Sequence, residues 1–195
     1  MVFSRKQLCL ICLLATLSFI LIASVDALPI YLSDEIGYLS KAAHLGGHSS
    51  YFSTSWSAGY SILIAPIFII FGVTKTAFSF IYLVNTACIL LSLFVYERLL
   101  RRWRVDSRKR LAIISSSLLC FGSWAYAVWM FPNALLGLII ALCAYLLAVD
   151  NVRHRLFFLS TLLGFAYLVH PSGLLIGVAA IFSLILSRLT DVKAF

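Results

Sequence analysis

Seven long apolar runs alternate with short polar segments along this chain and constrain its fold more than any other feature. Hydrophobic residues make up 63% of the 195 residues, and the mean hydropathy is +1.04. A soluble domain of this length could not bury so much apolar surface, so the sequence predicts an integral membrane protein. A crossing helix needs roughly 17–25 residues, which several runs reach only with their more polar ends included. The runs are 8–28, 58–71, 77–96, 111–131, 134–149, 156–169 and 174–186.

Basic residues cluster beside the ends of these runs, a pattern typical of the cytoplasmic side of membrane proteins. The clusters are 5–6, 98–110, 153–155 and 188–193, and only Lys41 and Lys75 lie elsewhere. The formal net charge of +8 therefore reports membrane orientation, and we expect no nucleic-acid partner.

The same charges predict the topology. If 5–6 and 98–110 are both inside, an odd number of crossings must separate residue 28 from residue 98. Of the two runs between them, 58–71 is the weaker span, because Pro66 lies inside it and Gly72 follows it. It is predicted as an interfacial or re-entrant helix. The expected fold is all-α and polytopic, with about six transmembrane helices, both termini cytoplasmic, in a bacterial inner or plasma membrane.

We predict a single module over residues 1–195. Its parts are span one at 8–28, an outer loop with juxtamembrane helices at 29–76, spans two to six at 77–187, and a cytoplasmic tail at 188–195. A cleaved signal peptide is the alternative for residues 1–27, although the apolar stretch exceeds the usual 7–15 residues. All five cysteines, including Cys9 and Cys12 of a C-x-x-C, fall inside predicted spans, so no disulfide framework is expected. The spans after the outer loop are 77–97, 111–130, 133–149, 156–169 and 172–187.

The segment Ser33-Asp34-Glu35-Ile36-Gly37-Tyr38 places two adjacent carboxylates and a tyrosine just beyond the first predicted span. Only 7 Asp and Glu residues occur in the chain. Ser33 can cap a helix whose first turn holds both acids, where the helix dipole favours anions. The helix should run to about Leu45 and end at Gly46-Gly47. On spacing alone, the simpler interpretation is that the acids only complement a helix end on a wet surface.

The order of motifs around this pair resembles the N-terminal module of GT-C glycosyltransferases, membrane enzymes that take sugars from polyprenyl-phosphate carriers. After the outward span come Asp34-Glu35-x-x-Tyr38, a loop, and Trp56-Ser57-Ala58-Gly59-Tyr60 leading an apolar helix that ends in Phe71-Gly72. The aminoarabinose transferases of lipid A and the protein O-mannosyltransferases share this order. The basic loop 98–110 and the turn 170–174 also look like their family counterparts, so the resemblance covers roughly residues 8–187.

The resemblance implies roles for particular residues. Asp34 matches the family's catalytic base, which removes the proton of the acceptor hydroxyl. Glu35 would support Asp34 electrostatically or hold a divalent cation, and Tyr38 is the aromatic residue beside the pair. The donor would be a polyprenyl-phosphate sugar, and no other cofactor is implied. Residues expected to contact substrate are Tyr38, Tyr60, Lys75, Asn133 and His170.

Two departures from the family bear on activity. Many members carry a second acid in the outer turn between spans three and four, whereas here the turn 126–133 has none; Asn133 can form hydrogen bonds there but cannot act as a base. Members also continue for further spans beyond a point corresponding to Phe195. The expectation is therefore a truncated chain, a split enzyme completed by a second membrane subunit, or a degenerate member.

Other candidate sites have simpler explanations. His44 and His48 are four residues apart, but Gly46-Gly47 interrupts the helix between them, so no metal site is predicted. Lys41 and Lys75 could meet a lipid phosphate or extend towards headgroups. His170 could contact substrate or cap a helix end.

Beside the glycosyltransferase, the sequence leaves open a non-catalytic subunit or lipid-binding scaffold derived from the same module. A small transporter is a third interpretation, although no repeat is visible and the acids lie at span ends. The partners expected in each case are membrane lipids.

Overall fold

The computed structural model describes residues 33–49, 57–120, 130, 132–149 and 154–192, together with Leu13 and Leu17. For residues 33, 119 and 187–192 it describes the backbone alone. Within these ranges the protein is all-α and has no strand, as the sequence predicts. Predicted span one, the Cys9–Cys12 pair and the turn at 126–131, apart from Met130, lie outside the described residues. The helices are α1 Ser33–Leu45, α2 Ala58–Phe71, α3 Lys75–Arg102, α4 Ser107–Leu119, α5 Asn133–Ala148, α6 Arg155–Val169 and α7 Gly173–Val192.

Helix bounds agree with most of the predicted ranges, and α5 and α6 match predicted spans four and five to within one residue at each end. α1 ends at Leu45, and α2 covers the predicted range with Pro66 inside it. α3 has 28 residues and continues beyond predicted span two, because Glu97 and Arg101 form an i,i+4 ion pair of 2.9 Å in its last turns. α7 continues to Val192, so the first residues of the predicted tail, 188–192, belong to this helix.

In the described ranges, only α3 is long and apolar enough to cross a membrane. α2, α5, α6 and the segment Gly173–Leu186 of α7 are apolar but shorter than a full span. About six spans are therefore not established. Large apolar side chains nevertheless point outward on several helices, including Ile70, Phe157 and Leu175, which are 71%, 67% and 70% exposed.

The bundle has a basic end, formed by residues 98–110 and Arg155, where α3 and α5 finish and α4 and α6 begin. There Arg102 Nε donates to the carbonyl of Ala148 at 2.9 Å, and Arg155 Nη2 donates to that of Leu147 at 3.0 Å. Cations therefore satisfy carbonyls at the carboxyl end of α5, where the helix dipole also favours them. Helices α3 and α5 thus run in the same direction, and α6 runs back.

The opposite end, called the far end below, is built from α1, α2 and the first half of α3. α2 runs antiparallel to α3: Tyr60 meets Asn85, and the Phe68 ring packs edge-on against Phe78 with centroids 6.2 Å apart. α1 packs along α2. The first half of α3 therefore joins the two short helices to the bundle below.

Gly59 sets the distance between α2 and α6. A β-carbon built there would lie 2.7–2.8 Å from backbone atoms of Leu168 and Val169. Because those neighbours are backbone atoms, a larger residue could be accommodated only by separating the two helices. The glycine therefore permits the contact that fixes the start of α2 against the end of α6.

Candidate functional site

The two acids of α1 have opposite surroundings. Asp34 is exposed, whereas Glu35 has no exposed surface at all. Adjacent residues in a helix point about 100° apart, and here the boundary between protein and surroundings falls between them. The simpler sequence interpretation, two charges on a wet helix end, is therefore wrong for Glu35.

Glu35 is joined to a distant part of the chain. Its Oε1 accepts a hydrogen bond of 3.0 Å from the backbone N–H of Met130, itself fully buried and 95 residues away. Its Oε2 is buried and has no hydrogen-bond partner in the part of the chain that the structure describes. A buried carboxylate oxygen without a partner is costly and unusual in folded proteins. Glu35 therefore ties α1 to the segment that precedes α5 and keeps one acceptor atom unused.

A buried polar cluster continues from α1 into α2 and α3. The hydroxyl of Ser61 donates to the carbonyl of Tyr38 at 2.9 Å, and the hydroxyl of Tyr60 donates to Oδ1 of Asn85 at 3.0 Å. The rings of Tyr38 and Tyr60 meet edge-to-face, with centroids 5.8 Å apart. These contacts hold the three helices in one arrangement beside Glu35.

Electrostatics keep both phenols neutral. Burial, and then the charge of Asp34, raise the pKa of Tyr38 to about 12. Burial is also the main reason why the pKa of Tyr60 lies far above its ordinary value; the bond to Asn85 opposes this shift, and Glu35 adds to it. Tyr60 is therefore close to the Glu35 carboxylate and acts as a hydrogen-bond donor at any physiological pH.

The other predicted contact residues are not all brought to this cluster. Lys75 is exposed at the first residue of α3. Nδ1 of His170 lies 2.8 Å from the hydroxyl of Ser172 and accepts from its backbone N–H at 3.2 Å, so the ring caps the turn between α6 and α7. Asn133, the first residue of α5, faces a cavity between α3, α4 and α5.

Lys41 and His48 differ from simple surface residues, whereas His44 is exposed. Lys41 is only 4% exposed, and burial lowers its pKa. Nε2 of His48 lies 2.8 Å from the carbonyl of Phe68, which fastens the end of α1 to α2. Among the residues described, no three His, Cys, Asp or Glu side chains lie close enough to share a metal ion.

Sequence reasoning missed two members of the cluster. Asn85 is fully buried in α3, and the N–H of Met130 is a backbone group with no sequence signature. A signal for Asn85 did exist, because an amide within an apolar span must face a polar partner. No protein-family model, curated protein or solved structure matches this chain.

Proposed function

We propose that the chain is a polytopic membrane protein whose far end faces outward. Three observations support this proposal. They are the basic residues at one end of the bundle, the apolar side chains that α6 and α7 expose on the surface of the bundle, and the length of α3. At 28 residues, α3 extends about 42 Å, more than the ~30 Å hydrocarbon core. Its first turns would then rise into the outer headgroup region together with α1 and α2.

We further propose that the far end transfers a sugar from a polyprenyl-phosphate donor to an acceptor hydroxyl. The hydroxyl oxygen attacks the anomeric carbon while the bond from that carbon to the phosphate oxygen breaks. Polyprenyl phosphate leaves with the electron pair, and the hydroxyl proton passes to a carboxylate. This displacement inverts the anomeric carbon and requires one base placed within about 2.6–3.2 Å of the hydroxyl.

The observation that carries the proposal is that the two adjacent acids differ in exposure and in hydrogen bonding. Exposed Asp34 can reach the proton of an incoming hydroxyl, whereas Glu35 is enclosed and bonded to Met130. Asp34 is accordingly assigned as the base. Glu35 is a positioning residue that holds α1, and with it Asp34, against the segment before α5. Tyr60 and Asn85 brace α2 from behind rather than contact the substrate.

A non-catalytic scaffold is the second candidate, and the same burial favours it. The carboxylate of Glu35 has no exposed surface, and the buried phenol of Tyr60 is hydrogen-bonded to Asn85. Both features are typical of a purely structural cluster. In that case Asp34 is only a helix-end charge.

The acidic groups here that could bind a divalent cation are the carboxylate of Asp34 and the unpartnered Oε2 of Glu35. The described residues supply no third acidic, histidine or cysteine ligand beside them. The donor set therefore does not fit a resident cation, and no step is assigned to one.

The test uses the full chain in lipid nanodiscs with radiolabelled polyprenyl-phosphate mannose and polyprenyl-phosphate aminoarabinose. Release of polyprenyl phosphate and transfer of label are measured for the unmodified chain, Asp34→Asn and the control Asp106→Asn. Asp106 is also an exposed acid at a helix start, where it caps α4 at the basic end. Loss of a general base should slow transfer by about 10²–10⁴-fold in Asp34→Asn only. Equal rates in both variants would exclude Asp34 as the base, and no turnover with either donor would favour the scaffold.

A further inference from the structure

The cavity between α3, α4 and α5 has neither acid of α1 in its lining, and we infer that it binds an uncharged amphiphile: a hydrocarbon chain bearing one hydroxyl or carbonyl group. Its volume is about 250 Å³. At the ~30 Å³ that a water molecule occupies in the liquid, this space holds roughly eight non-hydrogen atoms. Occupancy requires neither Asp34 nor sugar transfer, so this inference stands apart from the proposed activity.

The lining determines the ligand's chemistry. None of the described residues that line the cavity is charged, and apolar carbon from residues such as Ile89 and Leu93 forms most of the wall that they contribute. An ionised ligand would lose its hydration without gaining a counter-charge, which is strongly unfavourable. A hydrocarbon chain, by contrast, gains by leaving water.

The polar groups that line the cavity indicate that the ligand's hydrocarbon chain carries one hydrogen-bonding group. In the described ranges, neither the Tyr96 hydroxyl nor the Asn133 amide makes a hydrogen bond, and both line the cavity. Ser92 lies one helical turn from Tyr96 and donates its proton to the Cys88 carbonyl at 2.7 Å, so its oxygen faces the cavity as an acceptor. A ligand hydroxyl could accept from Tyr96 or Asn133 and donate to Ser92. Such few polar groups in a mainly apolar pocket are typical of small-molecule sites.

Gly137 provides a way to close the cavity. It lies on the lining, and a β-carbon built there would meet no atom within 4 Å. Gly137→Leu should therefore fill the space without displacing a neighbouring helix. Gly164 on α6 has the same empty surroundings but does not line the cavity, which makes Gly164→Leu the matched control.

The experiment uses a photoreactive diazirine derivative of octanol on the full chain in nanodiscs, with labelled peptides mapped by mass spectrometry. We expect labelling within 89–96 and 133–137. Excess 1-octanol should suppress it, whereas octane and octanoate should do so at least tenfold less effectively. Gly137→Leu should reduce this labelling by about tenfold, and Gly164→Leu should leave it unchanged.

A second variant tests the polar part of the inference. Tyr96→Phe keeps the cavity's shape, and losing one neutral hydrogen bond should weaken competition by 1-octanol about three- to tenfold. Labelling that is unchanged in Gly137→Leu, or equal competition by octane, octanol and octanoate, would overturn the inference. Labelling no stronger than on the outward face of α7 would also overturn it, because the cavity would then hold only water.

Discussion

Replacing Glu35 by alanine tests the buried link between α1 and the rest of the molecule. In the structure, Glu35 Oε1 accepts a hydrogen bond of 3.0 Å from the backbone N–H of Met130, and both residues are fully buried. Alanine leaves that N–H without its acceptor and removes all the side-chain heavy atoms beyond Cβ from a packed site. Glutamine keeps an oxygen in place and removes the charge.

The expected magnitudes differ between these variants. A buried donor left unpaired costs about 1–3 kcal/mol, so Glu35→Ala should lose roughly 2–3 kcal/mol of unfolding free energy. For a chain of 195 residues this corresponds to a fall in Tm of about 5–10 °C. Glu35→Gln should stay within about 1 kcal/mol of the unmodified chain, because its amide oxygen can still accept the hydrogen bond from Met130. Exposed Asp34→Ala should lose only ~0.3–1 kcal/mol of dipole interaction.

Two buried cysteines provide the assay. Cys88 and Cys143 are 6% and 3% exposed, so a thiol-reactive fluorophore reports when the bundle opens on heating. Cys9, Cys12 and Cys120 are replaced by serine in every variant, so that only Cys88 and Cys143 can react. If Glu35→Ala and Asp34→Ala open at the same temperature, Glu35 does not hold α1 to the segment before α5, and its assignment as a positioning residue fails.

Three further predictions follow from the described contacts. Gly59→Ala should lose about 1–3 kcal/mol of stability by overpacking against α6, whereas Gly164→Ala should be neutral or stabilising in the same melting assay. Tyr38 stays protonated to about pH 12 in the folded protein and ionises near pH 10.0 in the unfolded chain. Its contribution to the free energy of unfolding is therefore fully present below pH 10 and is lost by about pH 12. Through Tyr38 alone, the free energy of unfolding should therefore fall by about 1.4 kcal/mol per pH unit in that window, so the total slope should be smaller in Tyr38→Phe; identical slopes would contradict this. If the far end faces outward, an impermeant thiol reagent applied outside should label Ser49→Cys and not Ser107→Cys, and the reverse pattern would invert the topology.

Local structure at the far end could be predicted because local signals determine it. The backbone N–H of Gly46 bonds to the carbonyl of Ala42, and Gly47 takes a φ of 84°, so the glycine pair ends α1 where the sequence predicts. Gly72, with a φ of 63°, ends α2 in the same way. Such conformations need glycine, and a glycine is visible in any sequence.

The burial of Glu35 could not be predicted, because what encloses it is distant in sequence. Helical spacing separates Glu35 from Asp34 but gives no indication of which one faces the protein. The answer depends on Met130, a backbone donor 95 residues away. The contact between Tyr60 and Asn85 likewise depends on how far α2 overlaps α3. The alignment of distant segments against each other leaves no pattern in the local sequence.

Pro66 has a consequence for where α2 can lie. Having no N–H, proline cannot donate to the carbonyl of Ile62 four residues earlier, and both residues are on the outward surface of α2, with Ile62 56% exposed. A carbonyl that loses its helical partner is satisfied where water can reach it and is several kcal/mol unfavourable in dry hydrocarbon. If the chain lies in a bilayer as proposed, the loss of this helical hydrogen bond favours a position for α2 near the hydrated headgroups over one in the middle of the bilayer.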